Sequence, residues 1–201
     1  MHKSKIFLAR LYYLVFERYN YLRYFTLRNI RNHRRLSKLD VKIFKVNQHL
    51  FVTGMGSIEI AEKCVFGYKP GGFNFGGSIE FQARYKESII NIGNNIKTNN
   101  NIFICAANKI TIGRDTLIGQ NVTIMDFEAH GVEINCRNKI GKIGEVVIGE
   151  NVWIGNNTTI LKNTRIGSNS IVAAGAVVSG TFPSNVIIGG VPAKVIKTIS
   201  G

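Results

Sequence analysis

From Ile148 to Val177 the chain can be written in sixes, IGENVW IGNNTT ILKNTR IGSNSI VAAGAV, with an aliphatic residue opening every block: Ile148, Ile154, Ile160, Ile166 and Val172. The fifth place of each block is small or β-branched, occupied by Val152, Thr158, Thr164, Ser170 and Ala176. A helix repeats its apolar face every 3.6 residues and a strand alternates every two, so neither accommodates a period of six. A coil does. Short strands separated by tight corners, three sixes to a turn, close into a triangular parallel β-helix. The opening aliphatic then points inward, and the fifth-place residue is small because it points inward beside a corner. Gly149, Gly155 and Gly167 follow opening residues, and the Asn-rich positions after them suit corners at positive φ. Successive turns stack at about 4.8 Å, the spacing of hydrogen-bonded strands. A β-sandwich would instead show irregular turn intervals of roughly 8 to 12 residues.

The same period opens at Ile60 and Phe66, resumes at Ile92, and restarts at Ile112 after one widened corner. Between Phe66 and Ile92, the stretch YKPGGFNFGGSIEFQARYKE is rich in glycine and aromatics and reads as a bulged corner or loop before the next strand, open equally to covering the end of the coil and to a ligand contact. Beyond Ile124 the sixth-spaced places reach Cys136 and Lys142, which do not belong in an aliphatic stack. Residues 130–147 therefore leave the prism as a loop with His130 at its start, and the wall resumes in phase at Ile148. Loops on rigid scaffolds are where chemistry is usually placed. Pro183 and Pro192 disrupt the sixes, and the tail closes the open end of the coil against edge pairing. The expected organisation is a basic amphipathic helical arm over 1–50, an all-β coil over 51–183, and a capping tail over 184–201.

Charge is unevenly shared. Residues 1–45 hold twelve Lys and Arg against Glu17 and Asp40, which is +10 of the chain's net +14. A basic arm on a nearly neutral body points to a membrane surface or an acidic partner for the arm, and away from a nucleic-acid groove along the fold. At 100° per residue Leu8, Leu11, Val15, Tyr19, Leu22 and Phe25 share one side, while Lys3, Arg10, Arg28, Arg31 and Arg35 gather on the other. The longest uncharged run, Leu11 to Phe16, falls far short of the roughly 20 apolar residues a bilayer requires. Two readings of the arm stand: an interfacial helix on anionic lipid, or a helical subdomain packing its aromatic side on the first coil or on another subunit. Cys64, Cys105 and Cys136 form no CxxC and cannot all pair, which argues for a reducing, cytoplasmic compartment, at the inner face of the membrane if the arm is interfacial. Cys64 falls at a fifth place, where packing is its expected role.

An interrupted six-residue repeat, a His-bearing loop, then IGENVWIGNNTTILKNTRIG, AAGAVVSG and GGVPAKVIK, resembles the hexapeptide-repeat acyltransferases, nearest to galactoside, nodulation and surface-polysaccharide O-acetyltransferases. The resemblance runs from about Ile58 to Lys197 and omits the arm. It implies a left-handed β-helix, a homotrimer, and acetyl-CoA held in the groove between neighbouring prisms. His130 matches the family's catalytic histidine to within one residue. The resemblance places Trp153, Asn156, Ala174, Gly175 and Ser179 along the pantetheine arm, and Lys194 and Lys197 near the nucleotide phosphates, where an ammonium serves as a point charge. Asn99 matches an acceptor-contacting position. Asp126, Glu128 and Arg137 are candidates to orient the imidazole or hold a sugar hydroxyl, with Asp126 and Glu128 equally readable as corner residues.

The chemistry accounts for the histidine. An alcohol attacking a thioester carbonyl must lose its proton, and a neutral imidazole, titrating ordinarily near 6.5, takes it. No covalent enzyme intermediate is needed, so the cysteines are not candidates. No Walker loop, Rossmann glycine run or compact His/Cys metal constellation is present in the sequence. The expected activity is transfer of acetyl from acetyl-CoA to a saccharide hydroxyl. N-acetylation of an amino-sugar nucleotide and a non-catalytic trimeric scaffold are the alternatives.

Overall fold

The computed structural model describes residues 15, 16, 18–27, 29 and 44–200. In chain order the strands are β1 (Lys45–Val46), β2 (Leu50–Gly54), β3 (Ser57–Ile60), β4 (Val65–Phe66), β5 (Ile79–Ala83), β6 (Ile89–Ile92) and β7 (Lys97–Thr98). They continue as β8 (Ile102–Ala106), β9 (Lys109–Ile112), β10 (Leu117–Ile118), β11 (Thr123–Met125), β12 (Glu145–Ile148), β13 (Trp153–Ile154) and β14 (Thr159–Ile160). The last coils carry β15 (Thr164–Ile166), β16 (Ile171–Val172), β17 (Val177–Val178), β18 (Thr181–Phe182), β19 (Val186–Gly190) and β20 (Ala193–Thr198).

Every third strand returns to the same sheet. Wall A runs β1-β4-β7-β10-β13-β16-β19-β20, wall B runs β2-β5-β8-β11-β14-β17, and wall C runs β3-β6-β9-β12-β15-β18. Within the walls the pairing is parallel until β20 turns back antiparallel on β19. The opening aliphatics stack in register, Ile112 on Ile148 on Ile166, Ile118 on Ile154 on Val172, and Ile124 on Ile160 on Val178. All nine are 3% exposed or less, so the six-residue period marks the core. Burying a side chain of this size is worth about 1.5–3 kcal/mol relative to leaving it in water.

The corners explain the other places of the repeat. Thr158 and Thr164 are fully buried, and each hydroxyl donates to a carbonyl of its own corner, Gly155 at 2.8 Å and Leu161 at 2.6 Å. In the later coils positive φ falls on asparagines, Asn151, Asn157, Asn163 and Asn169 at 53° to 59°. Their side chains bond upward to the next coil, Asn121 to Asn157 and Asn151 to Asn169, both at 3.0 Å. The glycines answer a different need. A Cβ on Gly149 would stand 2.6 Å from the Ser168 nitrogen, and one on Gly155 would stand 2.6 Å from the Ala174 nitrogen. The coil above leaves no room for a side chain there.

Three boundaries differ from those the period suggests. The coil starts at Lys45, where β1 pairs with β4, ahead of residue 51. The excursion occupies residues 126–144, since β12 already pairs with β9 and β15 from Glu145. Val146 and Ile148 both point inward within that one strand, and the local alternation of a strand overrides a count of sixes. At the other end β19 still pairs with β16 as part of wall A, so the reversal is confined to the strand after it.

The described part of the arm is helical and lies on the first coils. Leu27 donates to the Leu22 carbonyl at 2.9 Å, closing a π turn over Leu22–Thr26. The face laid on the coil is set ahead of this turn by Asn20 and Tyr21, and Phe25 continues it. Phe25 is 2% exposed, whereas Val15, Tyr19 and Leu22 are 60%, 52% and 48% exposed. Leu8, Leu11, Lys3, Arg10, Arg28, Arg31 and Arg35 lie outside the described residues. Asn29, fully buried, donates to the carbonyls of Phe25 and Leu50 at 2.8 and 2.7 Å and accepts from the Val52 N–H at 2.8 Å. It thereby bonds the backbone of β2, the edge strand of wall B, which would otherwise offer unpaired groups to another chain. Among the described residues no helix is long and apolar enough to cross a membrane.

Candidate active site

The excursion springs from the corner between walls B and C as an antiparallel stem. Glu128 and Lys142 bond at 2.9 Å, Gly141 and Glu128 at 3.0 Å, and Gly131 and Lys139 at 2.8 Å through their backbones. Asp126, fully buried, accepts from the Ala107 and Asn108 amides at 2.7 and 2.9 Å. Burial raises its pKa, and those backbone bonds pull the other way. The Arg84 guanidinium lies 4.7 Å from the Phe127 ring centroid, and Lys162 of the next coil reaches Glu128 at 3.1 Å. Backbone bonding from Lys142, then Lys162, lowers the pKa of Glu128. Asp126 and Glu128 thus anchor the stem.

At the tip the exposed His130 ring meets the backbone. Its Nδ1 lies 2.6 Å from the Arg137 carbonyl oxygen, which can only accept, so Nδ1 carries the proton. Nε2 is left as the basic nitrogen, turned away from that bond. The oriented contact is thus made by the Arg137 backbone. Two glycines allow it. A Cβ on Gly131 would stand 2.5 Å from the Cys136 carbonyl, and one on Gly141 would stand 2.6 Å from the His130 carbonyl. Sequence reasoning missed both, although a glycine directly after His130 was visible. It also missed Lys162, whose partner is distant in sequence.

The remaining candidates divide between two edges of the prism. Asn99, Trp153 and Asn156 line one shallow groove of about 240 Å³ on wall A and its corner with wall B, together with Tyr68, Lys97 and Leu117. Trp153 is 55% exposed and stacks in register between Leu117 and Ile171. Ala174 and Gly175 are exposed on the same corner, where the Gly175 N–H donates to the Asn156 carbonyl at 2.8 Å. A Cβ on Gly175 would meet nothing, so the corner is open to a ligand. Lys194 and Lys197 stand exposed on β20 at the end of wall A. Ser179 is exposed on the opposite corner, between walls B and C, on the edge from which the His130 loop departs. Among the described residues no group of His, Cys, Asp and Glu is arranged to hold a metal ion. Burial pushes the Cys105 thiol up to about 11, away from nucleophilic use.

A coil of hexapeptides with a histidine loop and an open corner of small residues defines a class of acyl-group transferases. Residues 145–180 match the bacterial transferase hexapeptide model of six repeats. The chain is 33% identical to the putative lipopolysaccharide biosynthesis O-acetyl transferase WbbJ of Escherichia coli (strain K12), over 73% of this chain and 74% of that protein. It is 38% identical to the galactoside O-acetyltransferase of the same organism, over 56% of each chain, and so spans just over half of that relative. Among solved structures, a galactoside acetyltransferase in complex with coenzyme A matches with a TM-score of 0.51 at 28% identity, covering 76% of this chain and 66% of that one. The chain belongs to the hexapeptide-repeat acyltransferase family, and its coil is the left-handed parallel β-helix of that family.

Proposed function

We propose that this protein transfers the acetyl group of acetyl-CoA to a hydroxyl of a saccharide, a surface polysaccharide or its precursor, with His130 as general base. The observation that carries this reading is the Nδ1 bond to the Arg137 carbonyl, which leaves Nε2 ready to take a hydroxyl proton. The names of the relatives, O-acetyl transferases of lipopolysaccharide and galactoside, support the acceptor class. Trp153, Asn156, Ala174, Gly175, Ser179, Lys194 and Lys197 would hold the donor, and Asn99 the acceptor. The sugar oxygen attacks the thioester carbonyl as its proton passes to His130, the C–S bond breaks, and His130 hands that proton on to the departing sulfur, so that CoA leaves as the thiol.

The two edges point to a homotrimer. If wall B faces a three-fold axis, the His130 edge of one subunit meets the Trp153 edge of the next. From Phe103 onward the outward column of wall B, Phe103, Thr123, Thr159 and Val177 in register, is uncharged, and its one charge lies a coil earlier at Glu80. Wall C instead carries Lys109 opposite Glu145 and the Arg165–Glu145 ion pair, as suits a face in water.

Incubating the protein with acetyl-CoA and a panel of cell-surface sugars, nucleotide sugars and lipid-linked oligosaccharides, with thiol release and product mass as readouts, tests this function. Sugar-dependent thiol release with an alkali-labile acetyl ester is expected. An alkali-stable amide on an amino-sugar nucleotide would replace this reading with N-acetylation, and no release with any acceptor would favour a scaffold.

We also propose that the exposed Val15, Tyr19 and Leu22, backed by the basic arm, rest on anionic lipid at the inner face of the membrane. Each basic residue near such a surface contributes about 1 kcal/mol. The full chain is expected to float with phosphatidylglycerol vesicles at low salt and not with phosphatidylcholine. The triple variant Val15→Asp, Tyr19→Asp, Leu22→Asp should bind at least about tenfold more weakly. Flotation of that variant equal to wild type would remove the membrane from this account.

A further inference from the structure

The glycine- and aromatic-rich corner between β4 and β5 holds its backbone firmly and turns its rings outward. Asn100, fully buried, accepts from the Tyr68 N–H at 2.9 Å and donates to the carbonyls of Tyr68 and Gly72 at 2.8 and 2.9 Å. Gln48, 1% exposed, donates to the Phe73 carbonyl at 2.6 Å. Two buried amides are thus committed to one surface loop. Tyr68, Phe73 and Phe75 are nevertheless 54%, 53% and 94% exposed.

Phe73 sharpens the point, because it sits at φ 59°, where a bulky residue is disfavoured and Gly or Asn is at ease. Its ring is half-exposed, so interior packing does not account for an aromatic at this position. Strain of this kind, in a conformation imposed by its surroundings, is a signature of functional sites.

The loop lies against side-chain amides. A Cβ on Gly71 would collide with Asn99 Oδ1, and one on Gly72 would stand 2.7 Å from Gln120 Oε1. Tyr68 itself lines the groove with Asn99 and Trp153. Outward rings beside amides match one ligand chemistry: the C–H face of a pyranose covers a ring, and its equatorial hydroxyls reach the amides.

We propose that Tyr68, Phe73 and Phe75 form a saccharide subsite adjoining the acceptor contact at Asn99, so that the enzyme grips a chain of sugars and not a single one. This rests on the acceptor reading above, and its test is separable from it. An array carrying bacterial surface polysaccharides, their repeat-unit oligosaccharides and the constituent monosaccharides is probed with the full-length protein, with His130→Ala, with Phe73→Asn and with Tyr68→Ala/Phe75→Ala. Wild type and His130→Ala should bind the same polymeric spots and no monosaccharide, and both aromatic variants should bind at least about tenfold more weakly. Phe73→Asn, which suits the left-handed backbone, should keep or raise Tm, whereas a merely structural ring would lower it.

Array binding that is equal in wild type and the double variant, or absent from wild type, overturns the subsite. So does loss of the oligomer in sedimentation on Tyr68→Ala/Phe75→Ala, since the rings would then face a second copy of the chain. Failure of acetyl transfer with glycan binding intact would sink the catalytic reading alone.

Discussion

His130→Ala is expected to lower acetyl transfer by about 10² to 10⁴ while leaving the coil intact. The side chain is exposed, so its loss creates no cavity. Its one bond is to a backbone carbonyl at the tip of a stem fastened elsewhere, by Asp126 from below and Lys162 from above. A variant with wild-type turnover would end the general-base assignment. If the site is shared across subunits, a second outcome follows. His130→Ala and Trp153→Ala place their defects on opposite edges, so hybrid trimers refolded from a mixture contain some boundaries with both defects and some with neither. Activity should rise above that of either variant alone, and a mixture no better than the parents would place the site within one chain.

The period of six made the interior legible because it is set by a local rule, one inward aliphatic per side of a triangle, with no reference to distant residues. What it could not show depends on residues far apart in sequence. Asp126 and Glu128, four and two positions before His130, could be read as orienting the imidazole, as holding a sugar hydroxyl or as corner residues. The nearest amides to Asp126 belong to the preceding coil, and the cation beside Glu128 belongs to the following one. Sequence neighbours along a coil are often farther apart in energy than residues one turn away.

The same holds for the arm. A uniform 100° turn set Phe25 beside Leu22, but the helix lies on the coil along Asn20, Tyr21 and Phe25, so that Phe25 enters the core while Leu22 meets solvent. His130 and the likeness of the VWIG and GVPAK segments were readable in advance. The stem that aims His130 required coordinates, because Gly131 and Gly141 matter through what a Cβ would strike.

Phe81→Ala is expected to cost about 3–5 kcal/mol, the largest loss of stability foreseen for a single substitution here. Phe81 is fully buried at the end of an aromatic column that runs Tyr21, Phe25, Phe44, Phe66, Phe81, with successive ring centroids 5.1 to 5.3 Å apart. The column crosses from the arm into the first coils, so removing its inner ring leaves a void that the two neighbouring coils cannot close without breaking their strand register. In a stacked array each coil meets only the one above and the one below, and damage therefore stays near its origin. The first coils and the arm should melt early in urea, while the coils from Glu145 onward keep their midpoint. The chain's single tryptophan, Trp153, lies in those later coils and reports on them by fluorescence, whereas far-ultraviolet circular dichroism reports on all. In the variant the two signals should separate, with only the dichroism midpoint falling. If both midpoints fall together by the full amount, the prism unfolds as one cooperative body and the coil-by-coil account of its stability is wrong.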